Sequence, residues 1–334
     1  MAELRSDYAS LPVHHIGDAV PVSGPPIVLS FDSGFAFPAQ VALVSIFLNS
    51  PLRSLDIVVL ASGWPDSTVA GLDILARRFN RALTVIRVDE AMLPAPFAAR
   101  PVRRGGLFRL MIPEILNGER FLYLDADIVA QIDLDEIWGH YRGDLLVGGV
   151  PDLGARYWQR RLGFTEPDLY VNSGVLLING RAWRDERALE RCAAWLQSNP
   201  QRMLADQDTL NSALLGSIYA IPDHWNVIGI NRPQEWRLDP DSFRGIYHFA
   251  GPVKPWMRWA DPALQEFYLH YARVVGLPAG YWVEARNARE ALAEAQWADR
   301  QGNLVKARDI YKRVAEAALA KLKEVSPDAM VELP

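Results

Sequence analysis

Short apolar runs alternate with stretches of helical periodicity along the first half of the chain. The runs have strand length and no strict alternation of polar and apolar residues, and they cover residues 27–31, 56–60, 83–88 and 120–124. Helical spacing fills the segments between them, at residues 38–49, 66–80 and 106–118. Strands that alternate with helices predict an α/β fold with a mostly parallel central sheet and flanking helices. Apolar runs without alternation are typical of strands covered on both faces.

The second half of the chain has a mixed pattern. Further strands are predicted at residues 145–150 and 174–178, and helices at residues 181–198 and 206–216. Residues 221–260 are dense in Pro, Trp, Asn and Gly, a composition that indicates ordered loops.

Both ends of the chain differ in composition from the middle. Residues 283–323 are rich in Ala, Glu, Arg and Lys at helical spacing, and Gly302 with Asn303 divides them into two helices. The first residues are polar and rich in Pro and Gly. We therefore predict a flexible leader, a main α/β domain and a helical C-terminal extension, at residues 1–26, 27–282 and 283–334.

Charge and cysteine content exclude several kinds of site. The chain has 334 residues, of which 50% are hydrophobic, and its formal net charge is −5. Such a surface lacks the excess of Lys and Arg that binding to nucleic acid requires. The single cysteine, Cys192, rules out an internal disulfide and a cysteine-based zinc cluster.

One uncharged stretch, residues 33–52, has the length of a membrane span. It contains Pro38, Ser45 and Asn49, and only residues 41–48 are densely apolar. Because a spanning helix needs about 20 mostly apolar residues, we predict a buried helix and no transmembrane span. The first residues also lack the apolar core of a secretory signal, so we expect a cytoplasmic protein.

Two carboxylates, Asp125 and Asp127, follow the fourth predicted strand directly. Ligands of open α/β sheets bind beyond the carboxyl ends of the strands. Carboxylates this close together repel each other unless a cation lies between them, and hard divalent cations take oxygen ligands that they often share with substrate phosphates. A pair of turn and helix-cap aspartates is the alternative interpretation.

A second candidate segment runs from Tyr247 to Trp256. It combines the imidazole of His248, the flexible Gly251 and the cation of Lys254. A neutral imidazole can complete a metal site that already has two carboxylates, and a lysine can act as a point charge on a phosphate. The alternative is an aromatic loop with a hydrogen-bonded histidine.

Four blocks, taken in their order and spacing, resemble glycosyltransferase family 8, the retaining transferases that include bacterial lipooligosaccharide galactosyltransferases and glycogenin. The resemblance extends over about residues 27–260. The blocks are residues 122–127, 172–179, 206–211 and 248–256.

The resemblance implies a GT-A-like fold and a retaining hexosyltransferase that uses a UDP-sugar donor. It implies a bound Mn²⁺, with Mg²⁺ as the alternative, held by Asp125, Asp127 and His248. The remaining implied contacts to the donor are Gly251 and Lys254 at the diphosphate, Asp32 at the uracil or ribose, and Arg109, Asp152, Asn172, Asp206 and Gln207 along the sugar. The two residues placed nearest the anomeric carbon, with catalytic roles, are Asp206 and Gln207.

Two other functions remain open from the sequence. A dehalogenase-type phosphatase would use Asp125 as the nucleophile and Asp127 as the acid/base, although three predicted strands precede the motif here and that motif normally opens its domain. A non-catalytic protein would keep the fold and bind a nucleotide-sugar without turnover. The acceptor is also open among a glycan, a lipid-linked molecule, a small molecule and a protein.

The C-terminal extension carries basic residues among apolar ones. A basic amphipathic helix can lie on an anionic membrane surface, which would place the protein at the inner face of the membrane. Interleaved acidic residues dilute this charge, so we favour docking of the tail on the main domain or on a partner. The basic residues are Arg300, Lys306, Arg308, Lys312, Arg313, Lys321 and Lys323.

Overall fold

The computed structural model of the protein describes most of the chain, in two units. The first unit comprises Met1–Ala250 with His270–Val275, and the second comprises Gly251–Leu269 with Gly276–Pro334. The described residues are 3–19, 24–50, 55–98, 104–165, 168–199, 206–229, 241–251, 253–277, 282–283, 285 and 287–325.

The strands of the described residues belong to one large sheet and two small ones. They are β1 (Glu3–Leu4), β2 (Val13–Ile16), β3 (Pro26–Asp32), β4 (Asp56–Ser62), β5 (Leu83–Val88), β6 (Leu116–Asn117), β7 (Arg120–Leu124), β8 (Ile128–Gln131), β9 (Val147–Pro151), β10 (Val171–Asn179), β11 (Ile218–Ala220) and β12 (Gly245–His248).

The α-helices of the described residues vary widely in length. They are α1 (Ala36–Asn49), α2 (Asp66–Arg78), α3 (Ala95–Ala98), α4 (Ile112–Ile115), α5 (Arg156–Arg161), α6 (Gly180–Asp185), α7 (Ala188–Ser198), α8 (Gln207–Ala213), α9 (Pro262–Val275), α10 (Ala288–Arg300) and α11 (Leu304–Val325).

The large sheet has eight strands in the order β11-β9-β10-β7-β3-β4-β5-β2. Its centre is parallel, because β3 pairs in parallel with both β4 and β7, and β4 pairs in parallel with β5. Strands β10 and β2 run antiparallel to their neighbours, whereas β11 runs parallel to β9. The predicted α/β class with a mixed, mostly parallel central sheet is confirmed.

The central strands are apolar because both of their faces are covered. Ile27, Val28 and Leu29 of β3 are fully buried, as are Val58 and Leu60 of β4. Complete burial of such a side chain stabilises the fold by roughly 1.5–3 kcal/mol relative to exposure. The apolar runs that predicted strands covered on both faces therefore supply much of the core.

Helix α1 is the uncharged segment of the sequence, and the structure buries it. All residues from Val41 to Phe47 are buried. The Ser45 hydroxyl donates to the Ala42 carbonyl at 2.7 Å and accepts from the Ala130 amide of β8 at 2.9 Å. Ser45, one of the residues that argued against a membrane span, thus has partners inside the protein. No helix of the described residues combines the length and apolar character that crossing a bilayer requires.

Three segments differ from their sequence predictions. Part of the expected leader joins the large sheet, since β2 pairs antiparallel with β5; a strand of four residues has no distinct signal until its partner is known. The helix expected at residues 106–118 is a 3₁₀ segment, Arg104–Leu110, followed by the short α4, in which Pro113 restricts the backbone. The helix expected at residues 181–198 is interrupted at Arg187, which has left-handed backbone angles.

Strands β8 and β12 form a separate antiparallel ribbon that fixes one corner of the site. His248 at the end of β12 lies opposite Ile128 at the start of β8. The Phe249 amide continues the pairing by donating to the Asp127 carbonyl at 2.9 Å. The ribbon therefore holds His248 next to the second aspartate of the Asp-x-Asp motif.

The second unit begins before the predicted boundary at residue 283. The Val283 amide donates to the Trp256 carbonyl at 3.1 Å, and the Trp256 ring packs on Tyr268 with centroids 5.4 Å apart. Gly251–Leu269 belongs to the same unit as the C-terminal helices, whereas the composition shift that suggested the boundary occurs only near the start of α10. Gly302, at φ +74°, separates α10 from α11 as the sequence predicted.

Candidate functional site

Three side chains from three backbone positions converge at the carboxyl end of β7. Asp125 follows β7, Asp127 precedes β8, and His248 ends β12. One ligand atom from each of them lies within 4.8 Å of the others. Nε2 of His248 is 3.5 Å from Oδ2 of Asp125 and 3.5 Å from Oδ1 of Asp127. The predicted trio of metal ligands therefore meets in space.

A glycine on β10 makes room for this cluster. A Cβ atom built on Gly174 would lie 2.2 Å from Cε1 of His248 and 2.8 Å from Oδ2 of Asp125. The Gly174 carbonyl also accepts a hydrogen bond from the Asp125 amide at 2.8 Å. No other residue type fits at this position without displacing a ligand.

The two oxygens of Asp125 have different surroundings. Oδ1 accepts hydrogen bonds from Nη2 of Arg109 at 2.8 Å and from the Tyr123 hydroxyl at 2.6 Å. Oδ2 faces the imidazole of His248. The carboxylate is thus held in one orientation, with Oδ2 directed toward the other ligands.

Arg109 lies within the protein and joins two carboxylates. Its side chain is only 6% exposed. Nη1 donates to the Ser173 carbonyl at 2.6 Å and lies 3.2 Å from Oδ2 of Asp206. Nε donates to the Gly106 carbonyl at 2.7 Å. Burial disfavours the guanidinium charge, but Asp125 and Asp206 outweigh it, and the pKa of Arg109 is raised above its ordinary value. These contacts hold Arg109 in place beside Asp125 and Asp206, and its predicted contact to the sugar stays a prediction.

Gln207, the first residue of α8, has both ends of its amide occupied. Oε1 accepts from Nδ2 of Asn172 at 3.1 Å and from the Ser173 amide at 3.2 Å. Nε2 donates to Oδ2 of Asp152 at 3.0 Å and to the Tyr170 hydroxyl at 3.3 Å. The side chain therefore joins β10 to the segment after β9.

Asp206 precedes Gln207 and is more exposed. Its side chain is 28% exposed, and Oδ2 accepts from the Ser173 hydroxyl at 3.2 Å and pairs with Arg109. Its other oxygen, Oδ1, has no hydrogen-bond donor among the described residues. One carboxylate oxygen is therefore available to a ligand.

Tyr170 and Asp208 form a hydrogen-bonded pair that contacts the same network through Gln207. The Tyr170 hydroxyl donates to Oδ1 of Asp208 at 2.6 Å. Burial, and after it the charge of Asp208, raises the pKa of Tyr170 far above its ordinary value, so the phenol remains a donor. Oδ1 of Asp152 accepts from the Gly154 amide at 3.0 Å, which fixes the carboxylate that Gln207 contacts.

The three remaining predicted donor contacts, Asp32, Gly251 and Lys254, lie on other segments of the chain. Asp32 ends β3 and caps the following turn by accepting from the Gly34 amide at 2.9 Å. Gly251 has a left-handed φ of +95°, and the Lys254 carbonyl accepts from the Met257 amide at 2.9 Å; both residues belong to the second unit.

Four residues of the site escaped sequence reasoning as individual positions: Tyr123, Ser173, Gly174 and Asn226. Ser173 and Gly174 follow Asn172 in a block that the resemblance marked, which is the signal that could have found them. Asn226 is fully buried and faces Nδ1 of His248 at 3.1 Å, yet it lies in a loop-like stretch where nothing in the sequence distinguishes it.

The donor set fits a divalent cation. Carboxylate oxygens and an imidazole nitrogen are suitable ligands for Mn²⁺ and similar ions. Arg109 pairs with two carboxylates of this cluster, Asp125 and Asp206. The carboxylates of Asp125 and Asp127 lie close enough together to repel each other, and a divalent cation at the three ligands would offset that repulsion.

A mixed α/β sheet with such a cluster beyond the end of a parallel strand is the architecture of a glycosyltransferase of the GT-A type. The chain is similar to the crystal structure of galactosyltransferase LgtC in complex with donor and acceptor sugar analogues, with a TM-score of 0.65 and 23% identity over 77% of this chain and 98% of that one. The structure of the bifunctional glycosyltransferase WbbM is similar with a TM-score of 0.62 and 19% identity, over 80% of this chain and 52% of that one.

The chain belongs to glycosyl transferase family 8, whose model matches residues 26–260. Relatives include the lipopolysaccharide 1,2-glucosyltransferase of Escherichia coli K12, which is 24% identical over 72% of this chain and 75% of that protein. The lipopolysaccharide 1,3-galactosyltransferase of Salmonella typhimurium is 24% identical over 73% and 76%. General stress protein A of Bacillus subtilis is 24% identical over 73% and 92%. The predicted family is confirmed, and a dehalogenase-type phosphatase has no support.

Proposed function

We propose that the protein is a retaining hexosyltransferase that transfers a sugar from a UDP-hexose with the help of a divalent cation, Mn²⁺ in the first place and Mg²⁺ as the alternative. The observation that carries the proposal is the convergence of Asp125, Asp127 and His248 at one point beyond β7, with one ligand atom of each within 4.8 Å of the others. Cytoplasmic action, with or without attachment to the inner face of the membrane, belongs to the same proposal.

The chemistry requires stabilisation of a leaving group. When the glycosidic bond breaks, the donor diphosphate gathers negative charge, and a bound cation supplies Lewis-acid stabilisation of that charge. We propose that Lys254 adds a second positive charge at the diphosphate and that the Gly251 backbone approaches the same group. Interactions that strengthen as the charge develops lower the barrier more than they stabilise the bound substrate.

On the sugar side of the site, we propose that Asp206 binds a hydroxyl group of the transferred sugar. Its Oδ1, which has no donor among the described residues, would accept a hydrogen bond from a sugar hydroxyl, while Arg109 and Ser173 hold Oδ2. Gln207 is proposed beside the anomeric carbon, and its engaged amide keeps Asp152 and Asn172 in place there. Asp32 is proposed at the uracil or ribose, because it ends the strand next to β7.

The proposed acceptor class is supported by two of the relatives and one structural neighbour. Two of them transfer glucose or galactose to lipopolysaccharide, and a structural neighbour was crystallised with donor and acceptor sugar analogues. We propose a sugar hydroxyl of a glycan, free or lipid-linked, as the acceptor, with small-molecule and protein acceptors as alternatives. A non-catalytic nucleotide-sugar-binding protein remains the second candidate, because binding needs the same ligands as transfer.

The test combines turnover with ligand binding. Wild-type protein is screened for hydrolysis of UDP-hexoses and for thermal stabilisation by UDP, each with Mn²⁺, with Mg²⁺ and with excess chelator. Asp127→Ala should lose both activities while staying folded; Asp133→Asn, which alters a capping carboxylate after β8, should keep them. Turnover in chelator, or in Asp127→Ala, would remove the proposed cation role. Binding without turnover of any donor would favour the non-catalytic protein.

The stereochemical outcome is a separate prediction. From an α-linked UDP-hexose the first-formed product should be an α-glycoside. An inverting enzyme needs a general base at the acceptor hydroxyl, on the face opposite the leaving group. Gln207 is a poor base, and we propose Asp206 as a sugar ligand. NMR of the product before mutarotation reports the configuration, and a β-linked product would contradict the retaining mechanism without contradicting transfer.

A further inference from the structure

A fully buried asparagine faces the side of His248 that points away from the carboxylates. Oδ1 of Asn226 lies 3.1 Å from Nδ1 of His248. The opposite ring nitrogen, Nε2, faces Asp125 and Asp127. A neutral imidazole carries one proton, so the nitrogen that holds it decides whether Nε2 has a lone pair for a metal.

The orientation of the Asn226 amide follows from its second partner. Nδ2 of Asn226 lies 2.9 Å from Oδ1 of Asn172, and the Gly174 amide lies 2.9 Å from the same oxygen. A backbone N–H can only donate, so this atom of Asn172 is an acceptor. Asn226 must therefore turn its NH₂ group toward Asn172 and its carbonyl oxygen toward His248.

A second backbone N–H group confirms the donor-to-acceptor direction of these hydrogen bonds. Nδ2 of Asn172 donates to Oε1 of Gln207 at 3.1 Å, and the Ser173 amide donates to that oxygen at 3.2 Å. The amide N–H groups of two consecutive residues of β10, Ser173 and Gly174, thus fix both ends of Asn172. The fixed amide of Asn172 in turn orients the amide of Asn226, which presents its carbonyl oxygen to His248.

We propose that Asn226 is a positioning residue that holds His248 as the Nδ1–H tautomer and keeps Nε2 unprotonated for the cation. The part that concerns the cation rests on the proposed function; the part that concerns the tautomer does not. Without an acceptor at Nδ1, the two carboxylates 3.5 Å from Nε2 favour a proton on that nitrogen, which is the tautomer that cannot bind a metal. Partners of this kind orient metal-binding histidines and raise the basicity of the ligand.

The first test observes the tautomer in metal-free protein. Long-range ¹H–¹⁵N correlation spectra, recorded at a pH at which the imidazole is neutral, distinguish the protonated ring nitrogen from the other. Wild type should show the proton on Nδ1 of His248. Asn226→Ala should shift it to Nε2, whereas Asn226→Asp, which retains an acceptor, should keep it on Nδ1. An Nδ1–H tautomer in Asn226→Ala, or an Nε2–H tautomer in Asn226→Asp, would overturn the proposal.

A matched control is available on β10. Asn179 ends β10, is buried, and uses its amide to cap α6 and to bind the Gly143 carbonyl. Asn179→Ala removes a buried amide of the same size without touching the chain of hydrogen bonds to His248. It should lower thermal stability but leave the tautomer of His248 unchanged.

The second test measures Mn²⁺ affinity by calorimetry. Loss of such a partner weakens metal affinity about 10- to 100-fold in other sites, and Asn226→Ala should fall in that range. Asn226→Asp and Asn179→Ala should bind Mn²⁺ much as wild type does. Equal affinity of Asn226→Ala and wild type would refute the effect on the metal. If wild type itself binds no Mn²⁺, the proposed cation role fails, and the tautomer measurement still decides the role of Asn226.

Discussion

At the scale of single residues, two glycines permit close approaches on which the site depends. Gly174 lies against His248 and Asp125, as the short distances from its Cβ position show. A Cβ atom on Gly105 would lie 2.4 Å from the Asp32 amide nitrogen, so the segment that carries Arg109 packs directly on the end of β3. In both places the absence of a side chain lets the backbone approach its neighbours more closely than a Cβ atom would allow.

The first prediction concerns Gly174. Gly174→Ala should destabilise the fold by about 1–3 kcal/mol through overpacking and abolish Mn²⁺ binding, because His248 has to move. Gly71, on α2, has no heavy atom within 4 Å of its Cβ position, and Gly71→Ala should stabilise the fold by up to about 1 kcal/mol. Urea unfolding and calorimetry check both variants. Undisturbed Mn²⁺ binding in Gly174→Ala would mean that His248 is not a ligand.

At the scale of elements, the spacing of the ligands depends on the ribbon of β8 and β12. Asp127 directly precedes β8, and His248 ends β12. The register of the pairing between β8 and β12 therefore sets the distance between these two residues. The other side of β8 is anchored to α1, where Ser45 accepts from the Ala130 amide. A buried hydroxyl on α1 therefore supports a site formed by other elements.

The second prediction concerns this anchor. Ser45→Ala should lower the free energy of unfolding by about 1–3 kcal/mol, because the buried Ala130 amide loses its acceptor. Ser67→Ala, at an exposed position of α2, should change it little. Chemical denaturation with matched m-values provides the comparison. Equal stabilities of the two variants would show that the Ala130 amide finds another partner.

At the scale of the whole molecule, the proposed ligands divide between the two units. Asp125, Asp127 and His248 all lie in the first unit, whereas Gly251 and Lys254 lie in the second. Binding of a cation and binding of a diphosphate should therefore respond differently to changes in the second unit.

The third prediction uses a truncation. A chain without residues 287–334 lacks α10 and α11 but retains every proposed donor contact. It should bind Mn²⁺ as tightly as the full chain, while its affinity for UDP reports whether the segment around Lys254 keeps its conformation. Lys254→Ala in the full chain is the matched comparison, with an expected loss of about 2–4 kcal/mol in transition-state stabilisation. A folded truncation without Mn²⁺ binding would place a ligand in the C-terminal helices.

Much of the fold and the identities of the candidate metal ligands could be read from the sequence. The strands β3, β4, β5 and β7 were predicted because burial on both faces demands uninterrupted apolar runs, a local property of the chain. Asp125 and Asp127 were predicted because they follow such a run without a break. The position of His248 in an ordered block completed the set.

Only the tertiary structure decided which groups contact one another. Arg109 pairs with both Asp125 and Asp206, because the packing of the elements brings segments that are distant in sequence to one point. Asn226 gained its place beside His248 because the next residue, Val227, pairs with β12, which no local pattern records. A sequence specifies the burial and chemistry of each residue locally, whereas the partner of a buried polar group depends on how the elements pack.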